Sequence, residues 1–443
     1  MTDTKTINKK RPFGFYVCSI TFSFERMSFY AIKWLLAYYV VAKVSEGGLG
    51  LSESQGADFQ AFFVAFTYIM PVLLGSIADK FVGARYCVGL GLLLMGAGYI
   101  IAGMANSLVL LYVMLALVSI GTGLFKGNLT AMIGRLFHNQ DELDSAFSTY
   151  YSFVNIGSFV GTTIVAFLLG AVGYQMTFII YGAITLLGFV WYFVGLKSLG
   201  EVGKQPFKID ERKEEHEQEE IKPLTTVEKK RVLAICIVSA FSIIFWLFWY
   251  LAYLPVYYHW DDGGAANWMI GNFTVPSAWF DSLNAFACIA LGPLLGSLWI
   301  RLAARPQGDM SLFRKTAIGL ALLGSSYVIF AVMEMTRGDG QSSLLWLVLM
   351  GTLLSLGEMF FSPLGNAFVS KYAPAKILSV MMAVWIGAVF FASLSYGKVY
   401  DFAFGEGSDF ITSNLVIAAI AIGTALVVFL VDKPFVRMLN SEE

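Results

Sequence analysis

The sequence predicts an all-α membrane protein, with twelve transmembrane helices divided into two halves of six. Three observations carry this expectation. Of the 443 residues, 57% are hydrophobic and only 14% charged, whereas soluble domains run at about 45–50% apolar and about 25% charged. Long apolar runs, such as Val88 to Met104 and Leu415 to Val431, suit helices that need about 20 residues to cross the hydrocarbon core. Barrel strands would instead alternate in polarity over roughly ten residues. Finally, one charged stretch at 198–230 splits the chain. A soluble enzyme and a disordered scaffold are excluded, because neither could keep this much apolar surface from water. The net charge of −1 leaves no basic excess for nucleic acid.

Residues 1–12 are polar and basic and lead straight into an apolar run at 14–43, so no cleavable signal peptide is expected. That first span carries Glu25, Arg26 and Lys33. The second, 56–80, ends in the loop Gly75-Ser-Ile-Ala-Asp79-Lys80-Phe-Val-Gly83-Ala-Arg85, where Gly83 permits a turn and Asp79 can accept from the next helix end. Arg85 opens the third span, 85–105, ahead of Gly89, Gly91 and Gly96. The fourth, 108–135, holds Lys126 between Gly123 and Gly127. Spans at 144–170 and 176–197 complete the half; Trp191 and Tyr192 near the last end suit the membrane interface.

The charged stretch, with Asp210-Glu-Arg-Lys-Glu-Glu215 in succession, reads as a solvated linker between residues 1–197 and 231–443. The second half places spans at 231–255, 276–303, 313–336, 342–371, 375–401 and 411–434, with Trp260 and Trp268 at the interface. Its ninth span echoes the third: Arg314 precedes Gly319 and Gly324. Most of the 30 Lys and Arg residues fall on the side shared by the linker and both termini, which makes that side cytoplasmic. The four cysteines, Cys18, Cys87, Cys236 and Cys288, lie in apolar segments and read as small hydrophobes.

Five charges fall at membrane depth: Glu25, Arg26, Lys33, Lys126 and Glu358. Each costs about 2.5–3.5 kcal/mol on insertion scales, on the order of 12–17 kcal/mol together. They must be solvated or matched inside the bundle, and such groups mark substrate and ion pathways. Phe22, Glu25, Arg26, Phe29, Tyr30 and Lys33 fall on one helical stripe. With the cations concentrated in the first half, the cavity suits a substrate whose anionic end faces that half and whose cationic end faces Glu358.

The two-half plan and the Asp79–Gly83–Arg85 loop resemble the major facilitator superfamily. Finer motifs resemble one branch of it, the proton-dependent oligopeptide transporters. Glu25-Arg26-Met-Ser-Phe-Tyr30 is similar to the second half of ExxERFxYY, and Gly123-Leu-Phe-Lys126-Gly-Asn128 to GLFKPN. Tyr150-Tyr151-Ser-Phe-Val-Asn155-Ile-Gly157-Ser158 resembles FYxxINxGS. In the second half, Pro276-Ser-Ala-Trp279-Phe280-Asp281-Ser-Leu-Asn284 resembles PxxWFQSLNP. Gly357-Glu358-Met-Phe-Phe-Ser362-Pro363 resembles GExxxSP, and Met381-Met382-Ala-Val-Trp385 resembles MMGVW. The six matches stand in family order across both halves.

The resemblance implies the major facilitator fold and proton-coupled import of di- and tripeptides, or peptide-like zwitterions, by alternating access. It implies that Lys126, Arg26 and Tyr30 face the peptide carboxylate, and that Glu358 faces the amino group and pairs with Lys126 in gating. Lys33 stands where members carry Arg, and Tyr68, Asn155, Asn284 and Trp385 match pocket-lining positions. There are departures. Phe22 replaces the first glutamate of ExxER, and Phe245-Trp246-Leu-Phe-Trp249-Tyr250 lacks the acid expected in span seven, with Tyr250 near its place. Glu25, beside Arg26, is then the expected proton acceptor. The alternative is a relative carrying another small organic anion, with altered or no proton coupling. No HExxH, GxSxG or paired aspartate stands at membrane depth, and His138, His216 and His259 fall in loops or at span ends, so no enzyme, metal site or cofactor is expected. The expected partners are a small peptide-like substrate, protons and the bilayer of the cell membrane, with the chain a monomer.

Overall fold

The computed structural model describes residues 11–137, 140–206, 224–306, 310–374 and 377–439. The first half comprises α1 (Phe13–Val41), α2 (Glu53–Lys80), α3 (Ala84–Gly103), α4 (Leu108–Gly134) and α5 (Gln140–Gly195). The second comprises α6 (Thr226–Leu251), which runs on through the π-helical turns of Val256–Asp262, then α7 (Ala278–Ala303), α8 (Leu312–Arg337), α9 (Leu344–Tyr372), α10 (Leu378–Phe404), α11 (Phe410–Leu430) and the short α12 (Asp432–Leu439). Two-residue strands tie the loops at the end away from the linker, hereafter the far end. β1 (Ala266–Asn267) pairs in parallel with β4 (Ser342–Ser343), and β2 (Met269–Ile270) pairs antiparallel with β3 (Phe273–Thr274).

Helix boundaries differ from expectation where local chemistry extends or breaks a helix. The spans expected at 144–170 and 176–197 form one 56-residue stretch, interrupted only at Gly173, whose φ of 76° and ψ of 175° need a residue without Cβ. α6 starts inside the charged run because Thr225 and Glu228 form a capping box: Glu228 N–H donates to Thr225 Oγ1, and Thr225 N–H to Glu228 Oε2. The span expected to end at 434 stops at Leu430, and α12 begins at Asp432. Ten helical stretches among the described residues are long and apolar enough to cross a membrane, with the two arms of α5 counted as one. α1 is 29 residues long and stands outside that set because Glu25, Arg26 and Lys33 interrupt it.

The sequence echo between the halves is structural. A methyl group on Gly91 would sit 2.6 Å from the Gly121 carbonyl oxygen, where α3 crosses α4. In the second half one on Gly319 would sit 2.9 Å from the Gly357 carbonyl oxygen, where α8 crosses α9. Small residues let these backbones approach, as membrane helix interfaces require. Arg85 and Arg314 also correspond. Arg85 donates to the carbonyls of Gly200 and Val202 at 2.8 and 2.9 Å. Arg314 pairs with Asp432 at 2.9 Å. Each arginine pins the chain leaving the last span of its own half.

Large apolar side chains such as Val109, Phe193, Leu345, Phe402 and Leu430 remain exposed on the outer surface, as a bilayer solvent demands. Inside, aromatic residues dominate. Tyr192, Trp260 and Trp268 are buried rather than interfacial. Tyr192 donates to the Arg85 carbonyl, and Trp268 to that of Trp260. Gly83 is required for space rather than for its turn: its φ is −58°, and a methyl there would meet the Lys204 carbonyl oxygen at 2.2 Å. The Asp79 side chain lies outside the described residues.

Candidate substrate site and gate

On the first-half side, α1 and α4 deliver the cations. Arg26 Nε and Nη2 each lie 2.5 Å from a carboxylate oxygen of Glu25, a two-pronged pair within one helix. The guanidinium stands 4.4 Å from the centre of the Phe29 ring and 5.7 Å from that of Tyr30, contacts that favour a desolvated cation. Phe22, in the place of the missing glutamate, packs edge-on against Tyr150 at 5.1 Å. Lys126 has no ion-pair partner among the described residues; its ammonium lies 4.7 Å from the Tyr68 ring centre, and Tyr68 in turn meets Tyr250 at 6.3 Å. Arg26 and Tyr30 thus form one contact group, and Lys126, Tyr68 and Tyr250 another.

The facing carboxylate is Glu358 on α9. Asn284, on α7, donates to Glu358 Oε2 at 2.7 Å and lies 3.2 Å from Ser355 Oγ. Glu358 lines a cavity of about 480 Å³ together with Asn155, Tyr151, Ser148, Cys288 and Trp299. Ser148 lies near the start of α5 and Trp299 near the end of α7, so the cavity extends toward the linker end. Asn155 donates its own amide to the Tyr151 carbonyl at 2.9 Å. Lys126 and Glu358 form no ion pair in this state. Trp385 does not line the cavity; it stacks on Phe361 at 6.3 Å, and Phe361 stacks on Phe245 at 4.0 Å.

Lys33 leaves the Glu25–Arg26 group and crosses between the halves. Its ammonium pairs with Asp281 of α7 at 3.3 Å, with the two side chains 5% and 3% exposed. Tyr257 donates to the second Asp281 oxygen at 2.7 Å, and the Tyr253 ring centre lies 4.1 Å from Lys33 Nζ. Further contacts close the far end. Tyr38 donates to Asp261 at 2.6 Å, and Tyr258 to the Ala37 carbonyl at 3.0 Å. Trp279 donates to the Thr163 carbonyl at 3.1 Å, and Tyr400 to Glu53 at 2.6 Å. Lys398 pairs with Asp58. The cavity thus opens toward the linker side, beneath a closed far end.

Sequence reasoning missed Asp281, Tyr257, Tyr38 and Asp261. Asp281 was visible, as an acid standing where PxxWFQSLNP carries Gln. It falls close to the start of its span, where a charge passes as interfacial. The tyrosines carried no signal among the 21 in the chain.

Residues 15–397 match the Major Facilitator Superfamily. The chain is 26% identical over 434 residues to the di-/tripeptide transporter of Lactococcus lactis subsp. cremoris, covering 85% of this chain and 86% of the relative. It is 25% identical over 482 residues to the peptide transporter YePEPT of Yersinia enterocolitica, covering 95% and 93%. Its fold matches a crystal structure of the peptide transporter POT in complex with sulfate, with a TM-score of 0.88 at 23% identity over 97% of this chain and 96% of that one. A POT family transporter in complex with 5-aminolevulinic acid matches with a TM-score of 0.86 at 22% identity over 96% and 97%. With an all-helical fold and a family match across residues 15–397, the chain belongs to the Major Facilitator Superfamily.

Proposed function

We propose that this protein is a secondary active importer of di- and tripeptides, or of similar zwitterions, driven by protons through alternating access. One observation carries the reading: Arg26, paired with Glu25, and Lys126, without an ion-pair partner among the described residues, lie in one half, while Glu358, which Asn284 holds, lies in the other. A substrate with a carboxylate at one end and an ammonium at the other satisfies both. The names of the bacterial relatives point the same way. Tyr30, Tyr68, Asn155, Tyr250 and Trp385 complete the pocket during the cycle, and Lys126 meets Glu358 when the linker side closes.

Coupling begins at Glu25. Its carboxylate occupies both prongs of Arg26. Its protonation frees Arg26 for the substrate carboxylate, so proton and substrate binding favour one another. α1 to α4, the two arms of α5 and α6 to α11 serve as twelve spans of the cell membrane, with both termini, the linker and the Asp79–Gly83–Arg85 loop in the cytoplasm. The chain works as a monomer, without metal or cofactor.

A second reading, a carrier of another small organic anion without standard coupling, is favoured by Phe22 and by the absence of an acid between Phe245 and Leu251. Uptake into proteoliposomes decides between them. Di- and tripeptides accumulate under an inward pH gradient, and monocarboxylates do not compete. Competition by monocarboxylates, with no response to peptides, would replace the first reading by the second.

A further inference from the structure

We infer that Asp281 is a second proton-linked carboxylate, and that neutralising it releases the far-end gate. The inference rests on the transporter reading above but concerns a residue and a step outside it. The argument begins with which ion pairs must break. Glu25 and Arg26 are neighbours on one helix, so rocking one half against the other leaves their separation unchanged. They can sense substrate, but they cannot hold the halves together. Among the described residues, two ion pairs join the halves: Lys33–Asp281 and Lys398–Asp58. The second is a surface pair, with Lys398 71% exposed, and such pairs contribute little. Lys33–Asp281 is almost wholly removed from water.

Opening the far end draws α1 away from α7 and parts this pair. An ionised Asp281 would then keep only the Tyr257 hydroxyl of its two side-chain partners, and stranding one member of a buried pair is strongly unfavourable. A proton removes the difficulty. The carboxylate takes one from water on the far side and becomes a neutral acid. One O–H bond of a hydronium ion breaks as the new O–H forms on Asp281, a water molecule is left behind, and the attraction to Lys33 is lost. Lys33 is then free to turn toward the cavity. When the far end closes again, Lys33 approaches the acid, the proton leaves toward the linker-side cavity, and the ion pair returns.

The neighbourhood of Asp281 leaves this role to it. Lys33 of α1 is the cation that touches it, Tyr257 donates to it, and Tyr253 covers Lys33. On α9 the carboxylate is Glu358, already held by Asn284. Tyr38, whose ring lies 5.6 Å from that of Tyr257, is engaged with Asp261 one layer further out. The acid absent from α6 is thus replaced across the seam, on the neighbouring α7.

The test reads the gate without needing a substrate. Spin labels are placed at the far end on exposed Val44 and Ile270 (Val44→Cys, Ile270→Cys, with exposed Cys236 changed to Ser), and their distance distribution is measured in proteoliposomes across pH. In the parent protein acidification should transfer population to the longer distance. Asp281→Asn should show the long-distance population at every pH, and Lys33→Gln should do the same if the first variant fails to fold. Asp281→Glu should retain the pH response. A distribution in Asp281→Asn that still follows pH as the parent does, or a parent distribution indifferent to pH, overturns the inference. Absence of peptide counterflow in the parent protein would instead overturn the transporter reading, and the distance measurement keeps the two failures apart.

Discussion

Asn284 holds Glu358: an amide on α7 donates to a carboxylate on α9 at 2.7 Å, across the wall of the central cavity. The carboxylate proposed to face a substrate ammonium is therefore aimed by a neutral neighbour rather than by a cation. Its charge stays available. A hydrogen bond to a charged group contributes about 1.5–3 kcal/mol. Asn284→Leu should accordingly raise the half-saturation concentration for dipeptides by roughly ten- to a hundredfold. N-acetylated dipeptides, which lack the ammonium, should change little. Equal losses for both would make Asn284 a packing residue only.

Lys126 is the cation that the pocket leaves without a carboxylate. Replacing it by Ala should weaken dipeptides with a free C-terminal carboxylate by about tenfold or more, the scale of one charge-assisted contact. Methyl esters of the same dipeptides supply the comparison and should be nearly unaffected. Parallel inhibition curves against a labelled peptide measure both.

Glu25→Gln keeps the hydrogen-bonding shape of the side chain but cannot cycle a proton. Accumulation against a gradient should vanish, while exchange of labelled for unlabelled peptide survives. The two assays share one preparation, so a folding defect would show as the loss of both. Wild-type accumulation in this variant would remove Glu25 from the coupling scheme.

Where α1 packs on α5, a methyl group on Gly161 would stand 2.1 Å from the Met27 carbonyl oxygen, and one on Gly157 2.3 Å from that of Ser23. Backbone cannot yield as a side-chain tip can. Gly161→Ala should destabilise by about 1–3 kcal/mol, the usual cost of overpacking. Gly170, on the same helix with nothing within 4 Å, is the control: Gly170→Ala should be neutral or stabilising by about 0.5–1 kcal/mol. Thermal unfolding in detergent, followed by intrinsic tryptophan fluorescence, separates the two.

The all-helical fold was legible in the sequence because the bilayer enforces it: long apolar runs are a demand of a hydrocarbon solvent. Mid-membrane Glu25, Arg26, Lys126 and Glu358 stood out for the same reason. What stayed hidden depended on partners far along the chain. Lys33 seemed to belong with Arg26, since helical spacing puts them on one stripe, yet its long side chain reaches Asp281. Asp281 lay too near a span end to look anomalous. Trp260 and Trp268 were placed at the interface by position alone, whereas Trp260 packs against Phe330 and Phe410 and Trp268 donates to the Trp260 carbonyl.

The matched Gly91–Gly121 and Gly319–Gly357 crossings, and the matched Arg85 and Arg314 anchors, assemble each half with the same joinery. The contacts proposed for cargo differ sharply: Arg26 and Lys126 in one half, Glu358 in the other. Scaffold and cargo recognition thus sit on separate residues. An engineer wishing to redirect this transporter can rewrite a handful of cavity side chains and leave the carpentry alone.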